Sequence, residues 1–175
     1  MIRVKDKAFT PFIKEDELRD RVALLGRQIT KDYQGTFPLM IGVMNGAFMF
    51  LSDLCRHVDL ELEIIFIKLS SYQSISSTGE IKTHLGIDAD LAGREVIIVE
   101  DIVDTGLTMS HILDSVKKKG AKSVEVASLL VKPEAVTRDI SIKYSGFEIP
   151  NKFVVGYGLD YDGYGRNLKE IYQLL

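Results

Sequence analysis

Val96-Ile97-Ile98-Val99-Glu100-Asp101-Ile102-Val103-Asp104-Thr105-Gly106-Leu107-Thr108 is the stretch whose reading decides the fold. Its apolar start shows no polar alternation, which suits a short strand of a parallel sheet, buried on both faces. Two adjacent acids close the strand and a third follows three residues on. Thr105-Gly106-Leu107-Thr108 then turns the chain into a helix predicted over Thr108–Lys119. Lys117, Lys118 and Lys119 fall in its last turn and Gly120 ends it, the charge order and cap that a helix C-terminus favours. Open α/β sheets built from such units bind ligands at the carboxyl ends of their strands.

The same logic extends outward. Leu18, Val22, Leu25, Ile29 and Tyr33 mark one face of a helix that Gly35 and Pro38 terminate. Leu39–Met44 reads as a strand, Asn45-Gly46 as a turn and Ala47–His57 as a helix. Leu60–Leu69 is a strand rich in β-branched residues, followed by a polar, serine-rich mobile loop over Ser70–Gly79. Val124–Val131 and Lys152–Tyr157 supply two more strands. Strand alternating with helix predicts an α/β, mostly parallel open sheet flanked by helices. A length of 175 residues without repeats or a linker points to one domain.

Composition bounds the function. Hydrophobic residues at 46% and charged residues at 27% exclude disorder, collagen and coiled coil. A net charge of −3 argues against a general nucleic-acid or anionic-membrane surface. The single cysteine, Cys55, has no intramolecular disulfide partner and falls in an apolar helix, so it reads as a small core residue in a reducing, cytoplasmic compartment. Met1–Lys7 is too charged for a signal peptide. The longest uncharged run, Tyr33–Ser52, is broken by Gly35, Pro38, Gly42, Asn45 and Gly46, so no membrane span is expected. His57, His84 and His111 have no metal-ligand spacing.

The start of the helix after Gly106 leaves backbone N–H groups unpaired at a positive dipole end, a natural phosphate site. Gly106 allows close approach, and Thr105 and Thr108 add hydroxyls. Adjacent carboxylates suit a vicinal diol, since each accepts charge-assisted hydrogen bonds. Diol beside phosphate describes a sugar phosphate. Spacing alone also admits a plainer reading, with Asp104 as an N-cap and Glu100-Asp101 as solvated acids. Neither G-x-x-x-x-G-K-[ST] nor a strand-borne G-x-G-x-x-G is present. Asp160-x-Asp162 resembles the start of a calcium loop, but Tyr164 and Ile171 occupy positions that need ligands.

Glu100-Asp101-Ile102-Val103-Asp104-Thr105-Gly106 resembles the phosphoribosyl-pyrophosphate motif of type I phosphoribosyltransferases. Ser71-Tyr72 before Ser77-Thr78-Gly79-Glu80-Ile81-Lys82, then Ser128–Lys132, Gly146–Pro150 and Lys152–Tyr161, narrow the likeness to the hypoxanthine-guanine phosphoribosyltransferases. It runs from about Phe9 to Arg166, with the motifs in the family's order. The resemblance implies a single phosphoribosyltransferase domain over 1–175. A small hood is expected, formed mainly by about 145–175 with N-terminal residues. It also implies a homodimer or homotetramer acting on phosphoribosyl pyrophosphate and a 6-oxopurine in purine salvage, with no nucleic-acid or membrane partner.

The implied roles are residue by residue. Glu100 and Asp101 hold the ribose hydroxyls, and Asp104, Thr105, Gly106, Leu107 and Thr108 wrap the 5′-phosphate. Asp104 is the acid/base residue beside purine N7. Lys132, which alone reads as a solvated lysine at a strand end, donates to the purine 6-oxo group and so discriminates against adenine. Phe153 stacks on the base, the Val154 backbone reads its far edge, and Asp160 lies near the purine. Asn45, Gly46 and Arg166 contact pyrophosphate, with Ser71 and Tyr72 on a closing loop. Asn45 stands where the family can place lysine, which leaves a backbone role in a loop whose first peptide bond can be cis. Mg²⁺ is expected on Asp160, Glu100 and Asp101, since the acids would otherwise repel an anionic donor. A xanthine preference, and a nucleotide-sensing regulator on the same fold, are the competing readings.

Overall fold

Uninterrupted apolar runs form strands, and runs with helical periodicity form helices. The computed structural model describes residues 1–70 and 84–175. In chain order the elements are β1 (Ile2–Val4), β2 (Lys7–Ile13), α1 (Glu15–Asp32), β3 (Leu39–Met44), α2 (Phe48–Cys55), β4 (Glu63–Ser70) and β5 (His84–Leu85). They continue as β6 (Glu95–Val103), α3 (Leu107–Lys118), β7 (Ser123–Val131), β8 (Tyr144–Glu148), β9 (Val154–Val155) and β10 (Ile171–Leu174). Beyond Ser70, the expected serine-rich loop lies outside the described residues. No described helix is long and apolar enough to cross a membrane.

The large sheet has the order β5-β4-β3-β6-β7-β8, with β4, β3, β6, β7 and β8 parallel and β5 antiparallel at the edge. From β3 the chain steps outward to β4, whereas from β6 it steps the opposite way to β7 and β8. The β3/β6 boundary is therefore the switch point, where the crevice of an open sheet lies. The lack of alternation in β6 now has a cause. Val96, Ile97, Ile98 and Val99 are all fully buried. Ile97 and Val99 belong to the core containing Val22 and Leu25 of α1 and Leu51 of α2. Val96 and Ile98 belong to the core containing Met109, Ile112 and Val116 of α3. Successive strand side chains point to opposite faces, so helices on both faces require apolar residues throughout.

A second, antiparallel sheet has the order β1-β2-β10-β9 and packs around Phe9, Val4 and Val155. It takes in the strand expected over Lys152–Tyr157, which is shorter than expected. Only Val154–Val155 is extended, and it pairs with β10. Gly156 and Tyr157, at φ +103° and +50°, turn the chain at once. The fifth parallel strand is β8, centred on a glycine that reads locally as a turn. A Cβ at Gly146 would lie 2.3 Å from the Leu129 carbonyl oxygen, so glycine there permits the close approach of β8 to β7. The strand predicted over Leu60–Leu69 begins at Glu63, and α2 is shorter than the predicted Ala47–His57.

Ile98 is fully buried beneath α3. Ile98→Ala should lower unfolding free energy by about 2–5 kcal/mol, through lost transfer energy and an incompletely filled cavity. Urea unfolding of the two proteins checks this.

Candidate active site

The ends of β3, β6 and β7 converge at the switch point and meet the segment that follows β9. β6 delivers Glu100 and Asp101, then bends into the turn Asp104–Gly106. Gly106, at φ +81°, is the N-terminal cap residue of α3, with no side-chain cap. The Thr105 carbonyl accepts from the Thr137 backbone N–H at 3.1 Å and from its hydroxyl at 3.3 Å, so the following loop braces the turn. Asp104 does not cap the helix. Its Oδ2 accepts from Lys132 Nζ at 2.6 Å. This pair follows from register: Val103 pairs with Val131, so Asp104 and Lys132 each emerge one residue beyond a paired strand end. Lys132 is 7% exposed, which corrects its reading as a solvated lysine.

β3 brings the second segment. The Met44–Asn45 peptide bond is cis. Gly46 then lies so close to Asp101 that a Cβ there would sit 1.7 Å from Oδ2. Any side chain at 46 would displace the carboxylate. The third segment follows β9. Arg166 Nη2 pairs with Asp160 Oδ1 at 2.6 Å, and Arg166 Nη1 donates to the Gly158 carbonyl at 2.6 Å. Asp160 Oδ2 accepts the Gly163 N–H at 2.6 Å.

These segments enclose two adjoining clefts. One, of about 300 Å³, is lined by Gly46, Glu100, Asp101 and the turn Asp104–Gly106, with Thr108, Asp160 and Arg166. The other, of about 220 Å³, is lined by Lys132, Phe153, Val154 and Leu159. Asp101, Ile102, Asp104 and Asp160 border both. Phe153 is 47% exposed, and Tyr161 meets its ring edge-on at 5.9 Å. A polar, helix-headed cleft thus adjoins a flatter one with an aromatic face and one buried ammonium. The first can bind a phosphorylated sugar through amide and carboxylate groups, and the second a planar heterocycle.

Of the residues singled out in the sequence, Asn45 is exposed and borders neither cleft, and Leu107, 57% exposed, does not either. Ser71 and Tyr72 lie outside the described residues. Ile102, Leu159 and Thr137 were not singled out. Ile102 sits inside the quoted motif and Leu159 beside Asp160, whereas Thr137 carries no local signal. Cys55 is partly buried in α2, where burial pushes its thiol up.

Burial, and then the adjacent Asp101, holds the Glu100 carboxyl well above its ordinary value. Among the described residues, no three His, Cys, Asp or Glu side chains converge as a closed metal cage. The donors are nevertheless carboxylate oxygens, and Mg²⁺ characteristically takes one or two of these with substrate phosphates and water. Glu100, Asp101 and Asp160 fit that role, provided that Asp160 exchanges at least one of its present partners.

The parallel sheet with its clefts at the switch point is the fold of a phosphoribosyl transferase domain, whose profile matches residues 14–162. The chain belongs to that family and is an enzyme of the phosphoribosyltransferase class. It is 45% identical over 160 residues to the hypoxanthine-guanine phosphoribosyltransferase of Bacillus subtilis (strain 168), covering 91% of this chain and 89% of that protein. The enzyme of the same name from Streptococcus pneumoniae (strain ATCC BAA-255 / R6) is 42% identical over 160 residues, covering 91% and 89%. A crystal structure of a hypoxanthine-guanine phosphoribosyltransferase from Bacillus anthracis superposes with a TM-score of 0.87 at 38% identity, covering 95% of this chain and 98% of that one.

Because the folded form keeps the Glu100 proton to higher pH than the unfolded chain, the folded state binds more protons in that window. Stability then falls as pH rises from the ordinary value of 4.5 toward the raised one. Glu100→Gln should therefore melt higher than wild type at neutral pH, with the gap closing as pH falls below that ordinary value. Thermal unfolding across pH measures it, and a gap that widens on acidification contradicts the assignment.

Proposed function

We propose that this single-domain enzyme transfers the phosphoribosyl group of phosphoribosyl pyrophosphate to N9 of hypoxanthine or guanine, yielding IMP or GMP and pyrophosphate in purine salvage. The observation that carries this reading is the Lys132–Asp104 pair on the border of the two clefts. A buried ammonium suits a base with a 6-oxo acceptor and disfavours adenine, whose 6-amino group is itself a donor. Released from Lys132 when the base takes over the ammonium, Asp104 accepts the purine proton at N7. Its charge favours the cationic sugar that develops as pyrophosphate leaves.

Glu100 and Asp101 hold the ribose hydroxyls, and the turn from Asp104 to Thr108 receives the 5′-phosphate. Phe153 stacks on the base and the Val154 backbone reads its far edge, with Asp160 nearby. The loop at Asn45 and Gly46 contacts pyrophosphate through its backbone, together with Arg166, Ser71 and Tyr72. Asp160, Glu100 and Asp101 would hold Mg²⁺, which would supply charge neutralisation for the leaving pyrophosphate. The protein works in the cytoplasm as a homodimer or homotetramer. Ile64 and Phe66, two apart on β4 and so on one face, are 37% and 53% exposed and supply an apolar surface for self-association.

With phosphoribosyl pyrophosphate and Mg²⁺, hypoxanthine and guanine should be converted to nucleotides and adenine should not. Chelation should abolish turnover. Asp104→Asn should lower kcat by about 10²–10⁴-fold. Turnover of adenine alone would remove the role given to Lys132, and xanthine outpacing both other bases would move the specificity. Binding of phosphoribosyl pyrophosphate without turnover of any base would favour a regulator. Phe66→Asp should shift sedimentation toward monomer.

A further inference from the structure

Tyr157 is a buried aromatic residue at φ +50°, a conformation uncommon for bulky side chains. Its surroundings hold it there. The Tyr157 N–H donates to the Leu168 carbonyl at 2.8 Å, and its ring joins the core shared with α1 and α2. Its hydroxyl donates to Asp53 Oδ2 at 2.6 Å. Asp53 lies on α2, and α2 starts two residues after Gly46. The helix is therefore the rigid continuation of the loop that meets Asp101, with Asp53 about one and a half turns in.

The next residue touches the loop itself. Gly158, at φ +103°, packs against the Gly46 carbonyl so tightly that a Cβ would lie 2.1 Å from its oxygen. The Gly158 carbonyl accepts from Arg166, which also pairs with Asp160. Two consecutive residues thus grip one rigid unit at two points: Tyr157 by a side-chain bond to the helix, Gly158 by backbone contact with the loop. The base-side residues Phe153 and Val154 are held differently, through the pairing of β9 with β10 and the Leu174 N–H to the Phe153 carbonyl.

We propose that Asp53 and Tyr157 are positioning residues for the pyrophosphate loop, keeping Gly158 seated on Gly46 and Gly46 pressed on Asp101. The inference rests on the proposed contact between this loop and pyrophosphate. Neither residue borders the two clefts, so each acts through the loop. Burial, and then the Asp53 carboxylate, pushes the Tyr157 phenol up, so it remains a donor through the working pH range.

The test compares Tyr157→Phe, Asp53→Ala and Asp53→Asn with wild type, the last keeping an oxygen that accepts from the phenol. Tyr157→Phe and Asp53→Ala should raise KM for phosphoribosyl pyrophosphate, and for pyrophosphate in the reverse reaction, by about tenfold. KM for the purine should stay within about twofold and Asp53→Asn within about threefold of wild type, since the clamp acts on one substrate and an oxygen acceptor restores it. Unchanged pyrophosphate KM in Tyr157→Phe, equal rises for both substrates, or Asp53→Asn as impaired as Asp53→Ala would overturn the proposal. Titration of wild type with Mg²⁺-pyrophosphate, followed at the Gly46 and Ala47 amide signals, separates the two layers. Signals that stay still remove the loop contact itself. Signals that move with the same affinity in wild type and Tyr157→Phe remove the clamp and leave the contact standing.

Discussion

Val103 pairs with Val131, and Gly42 with Val99, and these two parallel registers set the level at which three chains leave the sheet. The acids at the end of β6 then meet the loop after β3 on one side and Lys132 after β7 on the other. A slip of one residue in either pairing would turn a whole strand's side chains to the opposite face. With both faces of β6 apolar, such a slip is opposed by the fit of particular side chains, Ile97 and Val99 to one core and Val96 and Ile98 to the other. The apolar cores above and below the sheet are thus what hold Gly46 against Asp101 and Lys132 against Asp104.

Crowding acids at one point carries an electrostatic cost, and the chain offsets it in two ways. Burial and the adjacent Asp101 favour the neutral form of Glu100, while Asp104 and Asp160 are matched by Lys132 and Arg166. On the proposed reading, a ligand entering this site exchanges one set of ionic partners for another and does not have to create them. Such exchange limits the desolvation penalty, because buried Lys132 is never left unpaired. It also makes the two clefts communicate, since whatever takes Lys132 frees a carboxylate facing the other cleft.

Much of this was legible in the sequence where signals are local. The run Val96–Val99, the helical face from Leu18 to Tyr33 and the turn at Gly106 each carry their own period or breaker. Illegible were features made by distant pairings. β8 was hidden by Gly146, which signals a turn locally yet serves close strand packing. The small sheet pairs Phe9 with Leu174, and β1, β9 and β10, of two to four residues each, are too short for a clear period. Lys132 shows the limit most clearly. Its neighbours do not distinguish a solvated end from a buried ion pair, and its suggested role came from likeness to a family. Likewise nothing near Asp53 or Tyr157 announces a bond spanning 104 positions.

The border shared by the two clefts has a consequence for what inhibits the protein. On the proposed reading, a molecule with a phosphate at one end and a flat base at the other bridges the border and fills both sides at once. Its two ends are tethered, so engaging one presents the other at high effective concentration. The finished nucleotide has this shape. On that reading it should compete with each substrate separately, so that turnover slows as product accumulates.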